Sequence, residues 1–596
     1  MTDDAIGPDD GDGNGSAPYT AVIYFHGMGS QRRYEETSRL IDRLDTFLNR
    51  RFKQEGTPGI LANIKPRVEP DRCRPNSEEI VGYIRTVHAD SPKMENLFQV
   101  RFYETYWAAI MAEEKSPWEI LKWMFMQPRR PWTTLRAPWR ERQRLRRATL
   151  ARVFEPRLTA DPNGQDAKDY KLLVSLYTNF EGLEAQRRFP DGTFEEFEAF
   201  IPDEVKDAAT ANRLGEHARA WRSAYRTEEL RNAFILVTLA IAVLLAGGFA
   251  LLVAFGAIQL VHGSPLPEVL KRFGVDLKAD WPTVSGIAVI LGMGVVGFGR
   301  FLTDYLGDVQ VWATYEETDS KHEARDKVLA RSIDLFSHVL NDPACERVAV
   351  VAHSLGTSVA HDALLALTRR NRARDAQDPI AGPLPLTKIE HFVTMGSPID
   401  KIEYLFESYS SQSHRYKRVV ESFRGDIGTP PFSRNRKPYI HWINFWDRGD
   451  IISGSLTSPS SSTASAQSVD NVHIASYDFP DPGASHGGYF DNKTVIRTLY
   501  EVIYRRGLSF RTLDPIPGQG PDYPSVFQRP GEPEIGRPPV LVTALIVPWI
   551  LLVTVIAWAL NANTIAYLSL VLGLGVTAIL LIAWIASGIR GQRTPL

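Results

Sequence analysis

The feature that most constrains the fold of this chain is an abrupt change of pattern within the stretch Arg347–Thr368. Residues Val348–Val351 form a short, apolar and β-branched run, which is typical of a buried strand. From Thr357 onward the apolar residues follow helical spacing instead, and Ser354 lies between the two patterns. The stretch therefore predicts a buried strand that turns into a helix within about three residues.

Such a turn requires small neighbours because the strand and the helix pass close to each other, and Ala352 and Gly356 are small. It lifts the hydroxyl group of Ser354 above the edge of the sheet. It also leaves the backbone N–H of Leu355 at the N-terminus of the helix, where it can face a developing oxyanion. An ordinary strand-to-helix turn with a capping serine is the alternative, since S-x-G is a weak signal.

The motif A-H-S-L-G resembles the G-x-S-x-G nucleophile elbow of the α/β-hydrolase superfamily, in particular its lipase-like branch, with Ala352 in place of the first glycine. The resemblance implies an α/β fold in which a mostly parallel sheet is flanked by helices. In that family an H-G motif after an early strand supplies a second oxyanion donor. Here the apolar run Tyr19–Phe25 ends at His26-Gly27, so the resemblance assigns this role to the N–H of Met28. A plain loop that ends the strand is the alternative.

A catalytic serine needs a base, and the base needs a carboxylate that holds its tautomer. The resemblance places the acid and then the histidine downstream of the serine. Asp450 follows an expected strand, Tyr439–Trp446, and two aliphatic residues follow it, as in lipases. His486 lies in A-S-H-G-G-Y-F, which is similar to the surroundings of the lipase histidine. The predicted catalytic residues are Ser354, Asp450 and His486.

Several residues compete for these roles. Asp447 is three positions before Asp450 and is the alternative acid. His473 is the alternative base, but its neighbours are aliphatic as in a strand, so a structural role is expected. His26 and His353 adjoin the two key motifs, and each is expected to fix loop geometry. The pattern implies no cofactor and no metal ion.

Other segments are expected to form the scaffold around these motifs. Amphipathic helices are predicted over Glu35–Phe52 and Glu317–Leu340, and strands over Leu97–Trp107 and His391–Met395. The serine-rich segment 453–468 is either a mobile lid beside the acid or an insertion without structure of its own.

Composition adds limits on partners and compartment. The 596 residues carry a formal net charge of −2, which does not favour a nucleic-acid partner. The two cysteines, Cys73 and Cys345, lack the spacing of a metal or redox motif, and a reducing compartment fits them best. The first 17 residues are acidic and rich in glycine, so they predict a disordered tail and not a signal peptide.

Four long segments without charged residues predict membrane-spanning helices in two hairpins: Phe234–Leu260, Trp281–Phe298, Val540–Leu560 and Ile565–Ile585. Very long buried helices are the alternative. An even number of crossings leaves both termini and both parts of the hydrolase domain on one side. Arginines beside the spans indicate that this side is cytoplasmic, although three basic residues in the opposite loop argue against it. The prediction is a multi-pass integral membrane protein.

The basic segment Pro128–Arg147 contains eight arginines and two tryptophans. It suits the headgroup layer of an anionic membrane and, equally, a solvated helix face. The predicted organisation of the chain is a tail (1–17), the first part of the hydrolase domain with this basic insertion (18–232), a transmembrane hairpin (233–301), the second part of the hydrolase domain (302–514), a proline-rich linker (515–539), a second hairpin (540–588) and a short tail (589–596).

These features together predict a membrane-anchored serine hydrolase that cleaves carboxylic esters through an acyl-enzyme. Anchoring makes acyl lipids the expected substrate class, an inference from location and not from pocket residues. A protein thioesterase, a serine peptidase, a non-catalytic membrane scaffold and, more weakly, a transporter are the alternatives. The expected partners are the ester substrate and the membrane, without nucleic acid, and the oligomeric state is left open.

Overall fold

The structure is a computed structural model of the chain. It describes residues 17–29, 31–54, 64–72, 80–89, 97–112, 119–120, 122–123, 146, 149–150, 153–154, 157, 161, 164–180, 183–189, 192–227, 230, 234, 237–238, 241, 307–314, 319–377, 383–402, 440–447, 450, 452–454, 456, 469–474, 486–505 and 550.

The described strands form one eight-stranded sheet. In chain order they are β1 Tyr19–Phe25, β2 Lys65–Pro70, β3 Ile80–Ala89, β4 Leu97–Thr105, β5 Cys345–His353, β6 Ile389–Met395, β7 His441–Trp446 and β8 Val469–His473. Their order across the sheet is β2-β3-β4-β1-β5-β6-β7-β8. The pairs β2–β3 and β3–β4 are antiparallel, and all other neighbours are parallel. The carboxyl ends of β1, β5, β6 and β7 therefore meet at one edge.

The helices are α1 Glu35–Gln54, α2 Ala108–Ala112, α3 Gln165–Phe180, α4 Leu183–Arg188, α5 Phe194–Glu204, α6 (208–227), α7 Gly307–Trp312, α8 Ser320–Leu340, α9 Gly356–Gln377, α10 Ile399–Lys401 and α11 Lys493–Tyr500. Short 3₁₀ turns occupy Leu386–Lys388 and Gly488–Asp491, and a π turn occupies Glu501–Arg505.

Strand β1 is buried along its whole length because helices cover both faces of the sheet. Its residues alternate between the two faces, as the period of two requires. Ile23 and Phe25 join the apolar cluster that contains residues of α8 and α9. Val22 and Tyr24 join the cluster that contains residues of α1 and α11. The described part of the chain is thus an α/β protein with three layers.

A third apolar cluster belongs to a separate helical unit, formed by the described residues from 146 to 227. Helices α3, α5 and α6 supply most of it, and it contains no residue of the sheet. Thr193 begins α5 with a capping box to Glu196. The buried Trp221 on α6 donates its indole N–H to the carbonyl oxygen of Arg146 over 2.8 Å. This unit is inserted between β4 and α7.

The prediction of membrane-spanning helices is contradicted. No helix among the described residues is long and apolar enough to cross a membrane. Helices α1, α8 and α9 reach 20, 21 and 22 residues. Charged side chains interrupt each of them.

We therefore correct the fold class, which included four spans, and the predicted multi-pass membrane location with a cytoplasmic catalytic domain and cytoplasmic termini. The four segments on which these predictions rested are Phe234–Leu260, Trp281–Phe298, Val540–Leu560 and Ile565–Ile585. They lie outside the described residues, apart from positions 234, 237, 238, 241 and 550.

Other predictions also fall outside the described residues: the tail up to residue 16, most of the serine-rich segment 453–468, the linker 515–539, and the basic segment Pro128–Arg147 except Arg146. Arg146 itself is buried. Its guanidinium carbon lies 4.9 Å from the ring centroid of Phe194 and 5.1 Å from that of Tyr225. This arginine is therefore directed into the core of the helical unit.

Candidate active site

Ser354 occupies a strained turn between β5 and α9. Its φ angle is +53°, in the left-handed region that a non-glycine residue seldom adopts. The backbone N–H of Ser354 donates to the carbonyl oxygen of Met395 in the next strand over 2.9 Å. The hydroxyl group of Thr357 donates to the carbonyl oxygen of Ser354 over 2.7 Å. Strain held in place by such bonds is typical of functional sites.

Gly356 explains why the turn can be so tight. A Cβ atom added at this glycine would lie 2.3 Å from the carbonyl oxygen of His26 and 2.6 Å from that of Phe25. The first turn of α9 therefore passes directly over the end of β1. The requirement for a small residue, which the sequence predicts at this position, comes from this contact between backbones.

The three predicted catalytic side chains lie in a continuous hydrogen-bonded chain, and all three are buried. The hydroxyl oxygen of Ser354 lies 2.7 Å from Nε2 of His486. Nδ1 of His486 lies 2.8 Å from Oδ2 of Asp450. An ionised carboxylate only accepts hydrogen bonds, so Nδ1 carries the proton and Nε2 is free to accept the serine proton. This arrangement can deprotonate the serine hydroxyl group for nucleophilic attack.

The surroundings of Asp450 stabilise the ionised form of its carboxyl group. Its Oδ1 accepts the backbone N–H of Ile452 over 2.8 Å, and its Oδ2 also accepts the hydroxyl group of Tyr489 over 2.9 Å. Burial alone would raise the pKa of the Asp450 carboxyl group. The His486 ring, the Ile452 N–H and the nearby Lys401 outweigh that effect and lower this pKa to about 2.

Asp447, the alternative acid, has a different environment. It follows the end of β7, and its backbone N–H donates to the hydroxyl oxygen of Tyr489 over 3.1 Å. Its carbonyl oxygen accepts the backbone N–H of Asp450 over 3.3 Å. Asp447 thus shapes the turn that carries Asp450, while the contact with the ring of His486 belongs to Asp450.

In the loop after β1, the N–H group of Met28 lies between two N–H groups, those of Gly27 and Gly29, that donate hydrogen bonds to carboxylates. Gly27 donates its N–H to Oε2 of Glu36, and Gly29 donates its N–H to Oδ2 of Asp308, each over 2.9 Å. Among the residues that the structure describes, neither the N–H of Met28 nor that of Leu355 has an acceptor. These are the two N–H groups that the sequence assigns to an oxyanion hole, and both are available to one.

The three other histidines considered from the sequence, His26, His353 and His473, make structural contacts. Nδ1 of His26 donates to the carbonyl oxygen of Gly27 over 2.8 Å, and Nε2 accepts the backbone N–H of Trp107 over 3.2 Å. Burial lowers the pKa of His26, which suits this neutral form. His473 ends β8 at the edge of the sheet, with its ring centroid 4.7 Å from that of Trp446. His353 bonds to Glu36 and to the backbone of His486.

Sequence reasoning missed Glu36, Asp308 and Tyr489. Tyr489 lies three residues after His486, and its aromatic character was the available signal. Asp308 bonds to the loop after β1 (residues 26–29) from a distant part of the chain, 279 positions from Gly29. Glu36 is only nine positions from Gly27, but its other oxygen contacts His353, 317 positions away. No local pattern marks a carboxylate that acts over such a separation.

The described residues contain no group of three or more histidine, cysteine, aspartate or glutamate side chains that could hold a metal ion. No protein-family model, curated protein sequence or solved structure matches the chain.

Proposed function

We propose that this protein is a serine hydrolase that cleaves carboxylic ester bonds through an acyl-enzyme intermediate. The observation that carries the proposal is the chain of contacts from the Ser354 hydroxyl group through His486 to the ionised Asp450, at 2.7 and 2.8 Å. A serine on a strained turn, a base in contact with it and a buried carboxylate behind the base are the parts that acyl transfer requires.

In the first half of the reaction, Oγ of Ser354 attacks the ester carbonyl carbon while Nε2 of His486 takes the hydroxyl proton. The negative charge that forms on the carbonyl oxygen is stabilised by the N–H groups of Met28 and Leu355. Collapse of this tetrahedral species breaks the ester C–O bond. The leaving alcohol takes the proton from His486, and the acyl group stays on Ser354.

In the second half, water attacks the acyl-enzyme and gives its proton to Nε2 of His486. A second tetrahedral species collapses, the carboxylic acid leaves, and Oγ of Ser354 regains the proton. Asp450 remains ionised throughout and balances the charge of the transient imidazolium. Its low pKa supports that role.

The arrangement of strands supports the resemblance to α/β hydrolases. The predicted oxyanion loop and nucleophile follow β1 and β5, which are adjacent parallel strands. The predicted acid follows β7, and the histidine follows β8 in sequence. The expectation of a lipid substrate rested on the membrane spans, so the proposal is restricted to the ester bond itself.

The proposal is tested by labelling with a fluorophosphonate, which phosphonylates an activated serine. Ser354→Ala should abolish labelling and lower the kcat for p-nitrophenyl butyrate on the order of 10⁶-fold. Ser332→Ala is the matched control, because Ser332 is a buried serine on α8 that donates only locally, to the carbonyl oxygen of Val328 over 2.8 Å. Labelling that persists in folded Ser354→Ala protein would contradict the proposal.

A further inference from the structure

A second pair of a histidine and a carboxylate lies directly behind the predicted catalytic residues. Nδ1 of His353 lies 3.1 Å from Oε1 of Glu36, and Nε2 lies 3.0 Å from the backbone carbonyl oxygen of His486. The side chain of His353 is buried and that of Glu36 is mostly buried, with exposed fractions of 7% and 11%. One imidazole ring therefore connects α1 to the residue that acts as base in the proposed reaction.

The two acceptors fix the charge of this ring. A carboxylate oxygen and a carbonyl oxygen only accept hydrogen bonds, whereas a neutral imidazole has one N–H group. Both contacts are made at once only when His353 is an imidazolium. Burial alone would lower the pKa of His353, but the carboxylate of Glu36 outweighs it and raises this pKa. The same attraction outweighs burial at Glu36 and lowers the pKa of its carboxyl group to about 2.

The other titratable groups around His353 are consistent with a cationic ring. Asp450, from the loop after β7, adds a second favourable negative charge. His26, at the end of β1, has both ring nitrogens bonded in its neutral form. The ring centroids of His486 and Tyr489 lie 5.1 and 6.2 Å from that of His353.

The other oxygen of Glu36 holds the oxyanion loop. Oε2 accepts the backbone N–H of Gly27 over 2.9 Å and the hydroxyl group of Tyr24 over 2.9 Å. A Cβ atom added at Gly27 would lie 3.0 Å from Nδ1 of His353 and 3.2 Å from Cβ of Ser354. The loop that carries the predicted oxyanion donor thus packs against the nucleophile and the second pair together.

We propose that Glu36 and His353 are positioning residues, which as a carboxylate–imidazolium pair fix the oxyanion loop to the backbone of the general base. The inference rests on the proposed function, because it assigns the pair a role in the reaction of Ser354. It implies that catalysis requires two histidines in opposite states: His486 neutral, so that it can accept a proton, and His353 protonated, so that it can make both of its bonds.

This requirement predicts the shape of the pH profile. As the pH rises through the raised pKa of His353, the ring loses a proton and can no longer donate to both acceptors. The buried carboxylate of Glu36 loses its counter-charge at the same time, and the oxyanion loop and the base lose their common support. The kcat should therefore fall at alkaline pH.

The test compares pH profiles of the full-length protein with p-nitrophenyl butyrate. Glu36→Gln removes the negative charge and should move the alkaline limb of kcat to lower pH. His353→Gln keeps an amide donor for the His486 carbonyl oxygen but does not titrate. It should remove this limb and lower the maximal kcat by up to about 10²-fold, with little change in KM.

A matched control is His441→Gln. Nε2 of His441 lies 2.8 Å from Oδ2 of Asp470, and His441 begins β7, at the end of the strand opposite to the site. Loss of the His441–Asp470 pair should leave the alkaline limb at its wild-type pH. An alkaline limb that is unchanged in both Glu36→Gln and His353→Gln would overturn the inference.

A measurement on the wild-type protein separates this inference from the proposed function. Nitrogen-15 NMR of the histidine side chains at pH 7 should show both ring nitrogens of His353 protonated, with the signal assigned by its loss in His353→Gln. A neutral His353 overturns the inference while fluorophosphonate labelling still supports the proposed function. A protonated His353 in a wild-type protein that is never labelled would instead overturn the proposed function, and the positioning role with it.

Discussion

At the residue scale, the carboxylate of Asp450 accepts hydrogen bonds from three donors of different kinds. A ring N–H from His486, a hydroxyl group from Tyr489 and a backbone N–H from Ile452 surround its carboxylate. A carboxylate that accepts from several donors is stabilised in its charged form, even when it is buried. The neighbouring Asp447 contributes backbone groups to the same turn, so the two aspartates have different expected roles.

Substitution by asparagine distinguishes these roles. Asp450→Asn leaves the size of the side chain unchanged but places an amide opposite the N–H of His486, which disfavours the required tautomer. The kcat for p-nitrophenyl butyrate should fall on the order of 10⁴-fold. Asp447→Asn should change mainly the free energy of unfolding. Circular dichroism establishes that both variants are folded, and a large loss of kcat confined to Asp447→Asn would reverse the assignment.

Single residues could be predicted from the sequence where a local motif carries the chemistry. Ser354 lies at a change of period, and His486 and Asp450 lie in short segments that resemble lipase motifs. The structure brings their side chains together, and their catalytic roles stay predictions. Glu36 and Asp308 were not predicted, because each makes a contact with a residue that is distant in sequence: Glu36 with His353 and Asp308 with Gly29.

At the scale of elements, the contact between α9 and β1 determines the geometry of the site. Gly356 allows the first turn of the helix to lie against the backbone carbonyl groups of Phe25 and His26. Any side chain at this position must push the turn at Ser354 away from the end of β1 and the loop after it. Gly215 offers the opposite case, because it lies in α6 and a Cβ atom there would meet no atom within 4 Å.

Alanine substitutions at these two glycines should therefore change the free energy of unfolding in opposite directions. Gly356→Ala should lower the free energy of unfolding by about 1–3 kcal/mol through overpacking, and it should slow fluorophosphonate labelling. Gly215→Ala should raise the free energy of unfolding by about 0.5–1 kcal/mol and leave labelling unchanged. Urea denaturation gives both energies. A Gly356→Ala variant as stable and as reactive as the wild type would show that the close approach is dispensable.

The bounds of a strand were predictable where the whole strand is apolar and buried. The strand at Tyr19–Phe25 lies where the sequence predicts it. Strand β5 begins at Cys345, before the predicted run at Val348, because the buried Arg347 finds acceptors in Ile503 and Thr20. The β2–β3 hairpin was not predicted at all. Strand β2 contains two prolines and is mostly exposed at the edge of the sheet, so it lacks the alternation of a half-buried strand.

At the scale of the whole molecule, the order of the strands in the sheet could not be predicted from local sequence patterns. Strand β1 pairs with β4 on one side and with β5 on the other, and 240 positions separate Thr105 from Cys345 at the ends of those two strands. These pairings depend on contacts between distant segments. The prediction of membrane spans was wrong at the same scale, because length and the absence of charge do not show where a segment packs.

The helical unit and the sheet have separate apolar clusters, so changes in one core should be separable from changes at the site. Phe197 on α5 lies in the helical unit, with its ring centroid 5.3 Å from that of Phe180 and 5.9 Å from that of Trp221. Phe336 on α8 lies in the sheet cluster, and its ring centroid is 6.0 Å from that of Phe25, at the end of β1.

Phe197→Ala and Phe336→Ala should each lower the free energy of unfolding of their own cluster by about 3–5 kcal/mol, because each leaves a cavity among buried rings. Phe197→Ala should leave the rate of fluorophosphonate labelling at 25 °C unchanged. Phe336→Ala should slow it, because the loop with the predicted oxyanion donor follows β1 directly. Thermal unfolding followed by circular dichroism, together with the labelling rate, measures both effects. Equal slowing of labelling in the two variants would mean that the helical unit and the site form one cooperative structure.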